Sequence, residues 1–305
     1  MGVARAVLIT VRKLVTVALL PVLLAHCQIA EEESGPPLAP ASLPEYAVGD
    51  AYTFDDGRTE RVVSANSGSV QWSSAEDFAF ATYPNILLPR IEWDSSAEHG
   101  ERRFDVAPTV LWPLTVGNRT DIKVRETVLL KATGHQSGSM QDWSCSVPGT
   151  AKIATQVGMF DAYRVVCRLE SDSPFVPYEQ ERTFYYAPAV RYYVRREDRY
   201  RGGDLITIQL VDFRTAQPKV PSSLDRLRDS TIQLTLETKL SGEEMSWQTD
   251  RGDYKGAVEP LRTFRSKTGQ YCRDYAETFD DGTRLYRVVT TACRSQDGKW
   301  RMLPN

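Results

Sequence analysis

Apolar and polar residues alternate along much of the stretch between residues 46 and 214. In Asp204–Phe213, Ile206, Ile208 and Leu210 fall on one face and Leu205, Thr207, Gln209 and Val211 on the other, the two-residue period of a strand. Similar runs predict strands over Val124–Lys131, Tyr163–Leu169, Thr183–Tyr186 and Val190–Arg195. Turn signals separate them at Asp56-Gly57, Asn66 to Gly68, Gly117-Asn118, Gly134, Gly158 and Ala187-Pro188. No segment here carries a helical period, so residues 46–214 read as an antiparallel β domain, either a β-sandwich or a curled β-barrel.

Beyond it the pattern changes. Residues 215–223, with Pro218 and Pro221, read as a linker, and residues 224–305 as a small α+β domain. Leu224, Leu227, Ile232, Leu234 and Leu236 partly fit one helical stripe, which predicts a helix within Leu224–Leu240, capped by Ser222 or Ser223. Short strands follow at Glu244–Gln248, Leu261–Arg265, Gln270–Thr278 and Thr283–Cys293. The last two are joined through Asp280-Asp281-Gly282, a hairpin turn that needs the positive φ glycine tolerates. "TFDDGRTERVV" from Thr53 echoes "TFDDGTRLYRVV" from Thr278; two hairpins sharing one turn chemistry account for the echo without a duplicated domain.

The longest apolar run lies at the amino terminus. Arg5, Arg12 and Lys13 precede Leu14–Ala25, the charged and apolar regions of an export signal over residues 1–27. The run is short of the about 20 apolar residues that span a bilayer. Leu24-Ala25-His26-Cys27 resembles the lipobox of bacterial lipoproteins, which implies a lipid on Cys27; His26 departs from the Gly, Ala or Ser usual in that place. Gln28 after the cysteine resembles lipoproteins sorted outward. Residues 28–45, rich in Pro, Glu and Ala, then read as a stiff polar tether holding the folded part off the membrane.

A formal net charge of −3 leaves no Lys/Arg excess to neutralise a phosphate backbone, which excludes a nucleic-acid binder. Five cysteines fit an exported chain with one to spare. Four cysteines allow three pairings, and the local ones, Cys145 with Cys167 and Cys272 with Cys293, are chosen because each pair has a strand-like context. Closing each loop of roughly 20 residues would contribute about 3 kcal/mol. Cys27 is left for the lipid. No C-x-x-C occurs, which removes zinc-ribbon and thioredoxin readings.

Near the carboxyl terminus stand Cys272-Arg273-Asp274-Tyr275, Ala292-Cys293-Arg294 and Asp297-Gly298-Lys299-Trp300, preceded by Gly242, Trp247, Gly252, Gly256 and Pro260. In order and spacing these resemble the C-terminal domain of the rickettsial-type surface antigens of the outer membrane, over residues 225–303. The resemblance implies a small β unit stapled by Cys272 and Cys293, with Trp247 and Trp300 supplying its core. That family's glycine-zipper segment is missing here, so membrane insertion does not carry over.

Catalytic signatures are scarce. His99 and His135 lie far apart in turn-like contexts, and no G-x-S-x-G, P-loop, G-x-G-x-x-G or H-E-x-x-H is present. Asp55-Asp56 and Asp280-Asp281 precede glycines in turns, where backbone geometry accounts for them. One surface signal remains: Arg191, Tyr192, Tyr193, Arg195, Arg196, Arg199, Tyr200 and Arg201, a basic and aromatic strip suited to anionic glycan, phosphate, peptidoglycan or another envelope protein. The whole reads as a non-enzymatic lipoprotein of the bacterial cell envelope at the outer membrane, facing the periplasm or the surface. No cofactor is expected, and its role is structural or one of interaction. Two other readings stay open: a carrier cupping an apolar molecule between Trp72, Trp93 and Trp112, and a hydrolase of envelope polymers.

Overall fold

In a computed structural model, residues 34–303 are described except 76, 172–177, 219 and 268. The expected signal peptide and Cys27 lie outside the described residues. Twelve strands follow in order: β1 (Ala51–Phe54), β2 (Thr59–Ala65), β3 (Val70–Ala75), β4 (Phe78–Thr82), β5 (Glu92–Asp94), β6 (Glu98–Phe104), β7 (Arg119–Leu130), β8 (His135–Thr155), β9 (Gly158–Ser171), β10 (Tyr178–Ala187), β11 (Tyr192–Tyr200) and β12 (Leu205–Arg214). Each pairs antiparallel with its neighbours in sequence, and β1 closes on β12, giving a meandering barrel. Of the two architectures the alternation allowed, the barrel forms, because closure leaves no unpaired edge.

The alternation assigns an inside and an outside. On β7, Ile122 and Val124 are buried while Arg119, Asp121, Lys123 and Arg125 are exposed; on β9, Val165, Cys167 and Leu169 are buried between exposed Arg164, Arg168 and Glu170. An apolar interior with a charged exterior is the reverse of a lipid-embedded barrel, whose outward band is apolar. Bulges break the period where two adjacent residues both turn inward. Between Tyr185 and Tyr186 the register of β10 on β11 shifts, passing over Val194, and Tyr192 and Tyr193 are both buried.

Two loops and the amino-terminal strap fill the barrel. Asn85 is fully buried, its side chain donating to Val110 O at 3.0 Å and accepting from Leu87 N at 3.2 Å, which fixes Ile86–Leu88 in the core. Leu111, at φ 72°, and Leu114 enter from the connection between β6 and β7. The expected tether ending at residue 45 is corrected over its described part. Gly35 N donates to Thr150 O at 3.0 Å, Ala41 and Leu114 exchange backbone bonds of 3.0 and 2.9 Å, and Tyr163 Oη donates to Ala39 O at 2.8 Å. Residues 34–45 are bound to the barrel because their apolar members, Leu38, Ala41 and Pro44, find places there.

After β12, a 3-10 turn (Ser222–Leu224) leads into α1 (Asp225–Thr238) and a five-stranded sheet: β13 (Met245–Gln248), β14 (Lys255–Arg265), β15 (Tyr271–Asp280), β16 (Leu285–Arg294) and β17 (Trp300–Met302). The serine cap is a correction: Leu224 takes the N-cap position with no side-chain hydrogen bond, the 3-10 turn having already supplied the entry. From α1, Ile232 and Leu236 pack on Val258, Tyr275, Ala292 and Trp300; a second cluster joins Leu224, Trp247 and Phe279. Gly256 lies under Trp247, and a Cβ there would come within 2.5 Å of the indole and 2.7 Å of Thr278 O. Gly256→Ala is expected to cost about 1–3 kcal/mol through overpacking, read as a lower urea midpoint with an unchanged m-value.

Nor is the stretch 215–223 a free linker. Thr215 N donates to Arg287 O at 2.8 Å, Ala216 N to Asp50 Oδ1 at 2.8 Å, and Leu285 N to Ala189 O at 2.8 Å. The beginning of β16 is thereby seated on the barrel.

Candidate functional site: an arginine and tyrosine chamber in the barrel

The eight residues of the basic and aromatic strip do not form one surface. Arg191, at φ 61°, lies in the turn just before β11, and its carbonyl accepts from Tyr46 Oη at 2.9 Å. Tyr192 and Tyr193 lie inside the barrel, Tyr192 stacked on Tyr52 at 4.1 Å and Tyr193 on Phe54 at 4.9 Å. Alternation then divides the arginines. Arg195 pairs with Glu197 and covers the Tyr185 ring, whereas Arg196 faces Tyr193 and Asp198. Arg199, Tyr200 and Arg201 stand at the other end of β11, beside an open groove of about 550 Å³ in which Arg201 pairs with Glu179 at 3.0 Å. A nine-residue strand puts about 30 Å between its ends, so a single contact strip is corrected to two separate places.

The inward half belongs to a charged chamber. Glu60 on β2 is 2% exposed; it accepts from Tyr192 Oη at 2.6 Å and faces Arg58 at 3.5 Å and Arg90 at 3.6 Å. Asp198 on β11, 3% exposed, accepts from Gln180 Nε2 at 2.8 Å, Arg182 Nε at 2.5 Å and Arg196 Nε at 3.0 Å. The two-residue period places Gln180, Arg182 and Phe184 on one face of β10, and Arg196 and Asp198 on the matching face of β11. A cavity of about 70 Å³ lies among Glu60, Arg90, Arg182, Arg196, Tyr193 and the aromatic floor of Phe80 and Phe184.

Sequence reasoning reached Tyr192, Tyr193 and Arg196 and missed Arg58, Glu60, Arg90, Asp198 and Arg182. The first three belong to distant parts of the chain or read as ordinary surface charge. Arg182 and Asp198 could have been found from alternation alone, as charged residues at inward positions of strands.

Burial raises the hydroxyl pKa values of Tyr46, Tyr52, Tyr192 and Tyr193 above the usual tyrosine value, and a carboxylate adds to the rise for each, Asp50 for the first two and Glu60 for the last two. A raised folded pKa contributes stability that is complete below the unfolded value, near about pH 10, and is lost as the pH climbs toward the folded one. The four are therefore expected to ionise only as the barrel opens, the tyrosinate absorbance and the loss of β circular dichroism rising together above about pH 10. Ionisation of these residues with the fold intact would contradict that burial.

The three tryptophans expected to line an apolar cavity do not share one. Trp72 packs against Tyr46, Tyr52, Phe80 and Tyr192; Trp93 lies on Gly100 beneath the Arg102 guanidinium; Trp112 meets the edge of Tyr186. His99 sits between Asp94 and Glu101 at 3.3 and 3.6 Å, and Asp94 also holds Lys131. Among the described residues no group of three or more His, Cys, Asp or Glu is placed to hold a metal ion.

Both disulfides cross directly opposed positions of neighbouring strands, Cys145–Cys167 between β8 and β9 and Cys272–Cys293 between β15 and β16. The class this marks is a water-facing barrel joined to a small stapled sheet. Residues 235–301 match the family described as 17 kDa outer membrane surface antigen. The 17 kDa surface antigen of Rickettsia conorii is 42% identical over 79 residues, 26% of this chain and 49% of that protein. The Rickettsia bellii protein is 38% identical over 79 residues. The chain thus spans about half the length of the curated relatives it matches, and the barrel has no part in the match. The structure of the hypothetical lipoprotein YmcC of Escherichia coli (K12) is similar with a TM-score of 0.38 and 10% identity, over 55% of this chain and 84% of that one. A likeness of that degree establishes neither fold nor function.

Proposed function

We propose that this chain is a non-enzymatic protein of the bacterial cell envelope, anchored at the outer membrane by a lipid on Cys27, with a structural or interaction role. The observation that carries the reading is the stapled C-terminal sheet, whose sequence is shared at 42% identity with a rickettsial surface antigen. The two buried disulfides support it, since such bridges persist in oxidising compartments and are rare in the cytosol. The charged exterior of the barrel supports attachment by a lipid in preference to insertion of strands.

The test is the intact mass of protein extracted from native membranes. The expected species begins at Cys27, carries an acyl-glycerol adduct there and has Cys145, Cys167, Cys272 and Cys293 oxidised. A cytosolic species that keeps residues 1–26 and four free thiols would end the proposal.

A further inference from the structure

The chamber in the barrel holds more positive charge than its own carboxylates neutralise. Four guanidiniums, those of Arg58, Arg90, Arg182 and Arg196, face three carboxylates, Asp56, Glu60 and Asp198. Asp198 binds Arg182 and Arg196, and Asp56 binds Arg58 at 2.7 Å. Glu60 is left to be shared between Arg58 and Arg90, at distances longer than a charge-assisted hydrogen bond. It is instead committed to Tyr192 Oη at 2.6 Å.

Arg90 is the cation in excess. Its guanidinium lies over Phe80 at 4.1 Å and Phe78 at 4.8 Å, which fixes its plane, and its one ionic contact among the described residues is the 3.6 Å approach to Glu60. Arg58 Nη2 is buried and has no hydrogen-bond partner among the described residues. Burial pulls the Arg90 pKa below the ordinary arginine value, and Glu60 offsets only part of that pull. A guanidinium presents five donors in a planar fork suited to an oxyanion, and donors left unpaired inside a protein are costly. The Arg90 side chain is 29% exposed, so the chamber is reachable from solvent.

We propose that this chamber is a binding site for a tetrahedral oxyanion of the phosphate type, received by Arg90 with Arg182 and Arg196 across the cavity and Phe80 and Phe184 beneath it. At about 70 Å³ the space admits one such group and excludes a sugar ring, so a larger ligand would insert only its phosphate. The free anion and a phosphomonoester lipid headgroup share this chemistry. The site is independent of whether Cys27 carries a lipid.

The experiment uses the oxidised chain from residue 28 onward, titrated calorimetrically at low salt with inorganic phosphate, and separately with phosphatidylcholine vesicles containing or lacking phosphatidic acid. Saturable phosphate binding is expected, weakened by added sodium chloride and reduced about tenfold or more by Arg90→Gln, equivalent to about 1.4 kcal/mol. Arg90→Lys keeps the charge without the fork and should fall between the two; Arg301→Gln, far out on β17, should bind as the parent does. Phosphatidic-acid-dependent, Arg90-dependent vesicle binding without free-phosphate binding would support the same chemistry with the headgroup as its source. The proposal is overturned if neither probe binds, or if both folded Arg90 variants bind like the parent. Melting curves establish that each variant is folded, and Arg90→Lys carries the test should Arg90→Gln not fold.

Discussion

Replacing all four bridged cysteines by alanine is expected to lower stability by about 6 kcal/mol, at about 3 kcal/mol for each closed loop of roughly 20 residues. Against the about 5–15 kcal/mol of an ordinary domain, that loss would leave little margin. The bridges lie in different sheets, so their effects should add. They should not act on the same structure. Cys145–Cys167 ties two long strands of a barrel whose core is already extensive, whereas Cys272–Cys293 ties a sheet whose main cluster is Ile232, Leu236, Val258, Tyr275, Ala292 and Trp300. Removing the second bridge alone should therefore raise hydrogen exchange across β15 and β16 before it touches the barrel. The measurement is the guanidinium midpoint of each double variant; a shift worth less than about 1 kcal/mol per bridge would contradict the chain-entropy account.

The Arg284→Ala variant is the second large effect. Asp50 is fully buried and Arg284 is 6% exposed, with Nη2 donating to Oδ2 at 2.8 Å across 234 positions of sequence. Asp50 Oδ1 and Oδ2 also accept from Ala216 N at 2.8 Å and Ala47 N at 3.0 Å, so the carboxylate organises three segments at once. A buried pair is a weak source of net stability, yet removing one partner strands the other charge and costs about 3–5 kcal/mol. Arg287, bonded to Asp212 at 2.6 Å, holds the same strand to β12 and should preserve part of the contact. Arg284→Ala should separate unfolding into two transitions, the C-terminal sheet first, seen as divergence between tryptophan fluorescence and far-ultraviolet circular dichroism. A single coincident transition with an unchanged midpoint would mean that the ion pair does not join the two sheets.

The same salt bridge shows where reading along the chain stops. The Asp55-Asp56-Gly57 and Asp280-Asp281-Gly282 turns were legible because Gly57 and Gly282 take positive φ, at 86° and 81°, a demand written locally. Nothing local distinguishes Arg284, two residues beyond such a turn, from any exposed arginine. Its role comes from Asp50, which only the docking of β16 brings near. Arg90 is similar: it stands in a connection between β4 and β5 with no periodic pattern, and acquires meaning from Phe80 and Glu60. Tyr193 misled for a different reason, since strict alternation would put it outside and a bulge put it inside. The strap over residues 34–45 misled because Pro, Ala and Glu predict a solvated spacer, whereas its few apolar side chains and free backbone groups found partners on β8, β9 and the loop at Leu114.

What the sequence by itself determined is what depends on neighbours a few residues away: the strand period of Ile208 and Leu210, the helix over residues 225–238, the hairpin turns, and the cysteines placed on adjoining strands. The tertiary structure alone decided that twelve strands close into a barrel, that loops and a strap fill it, and that four arginines outnumber their carboxylates in one chamber. The reason is physical. Backbone conformation and alternation are short-range properties, but the cost of a buried charge is set by whatever the rest of the chain folds around it.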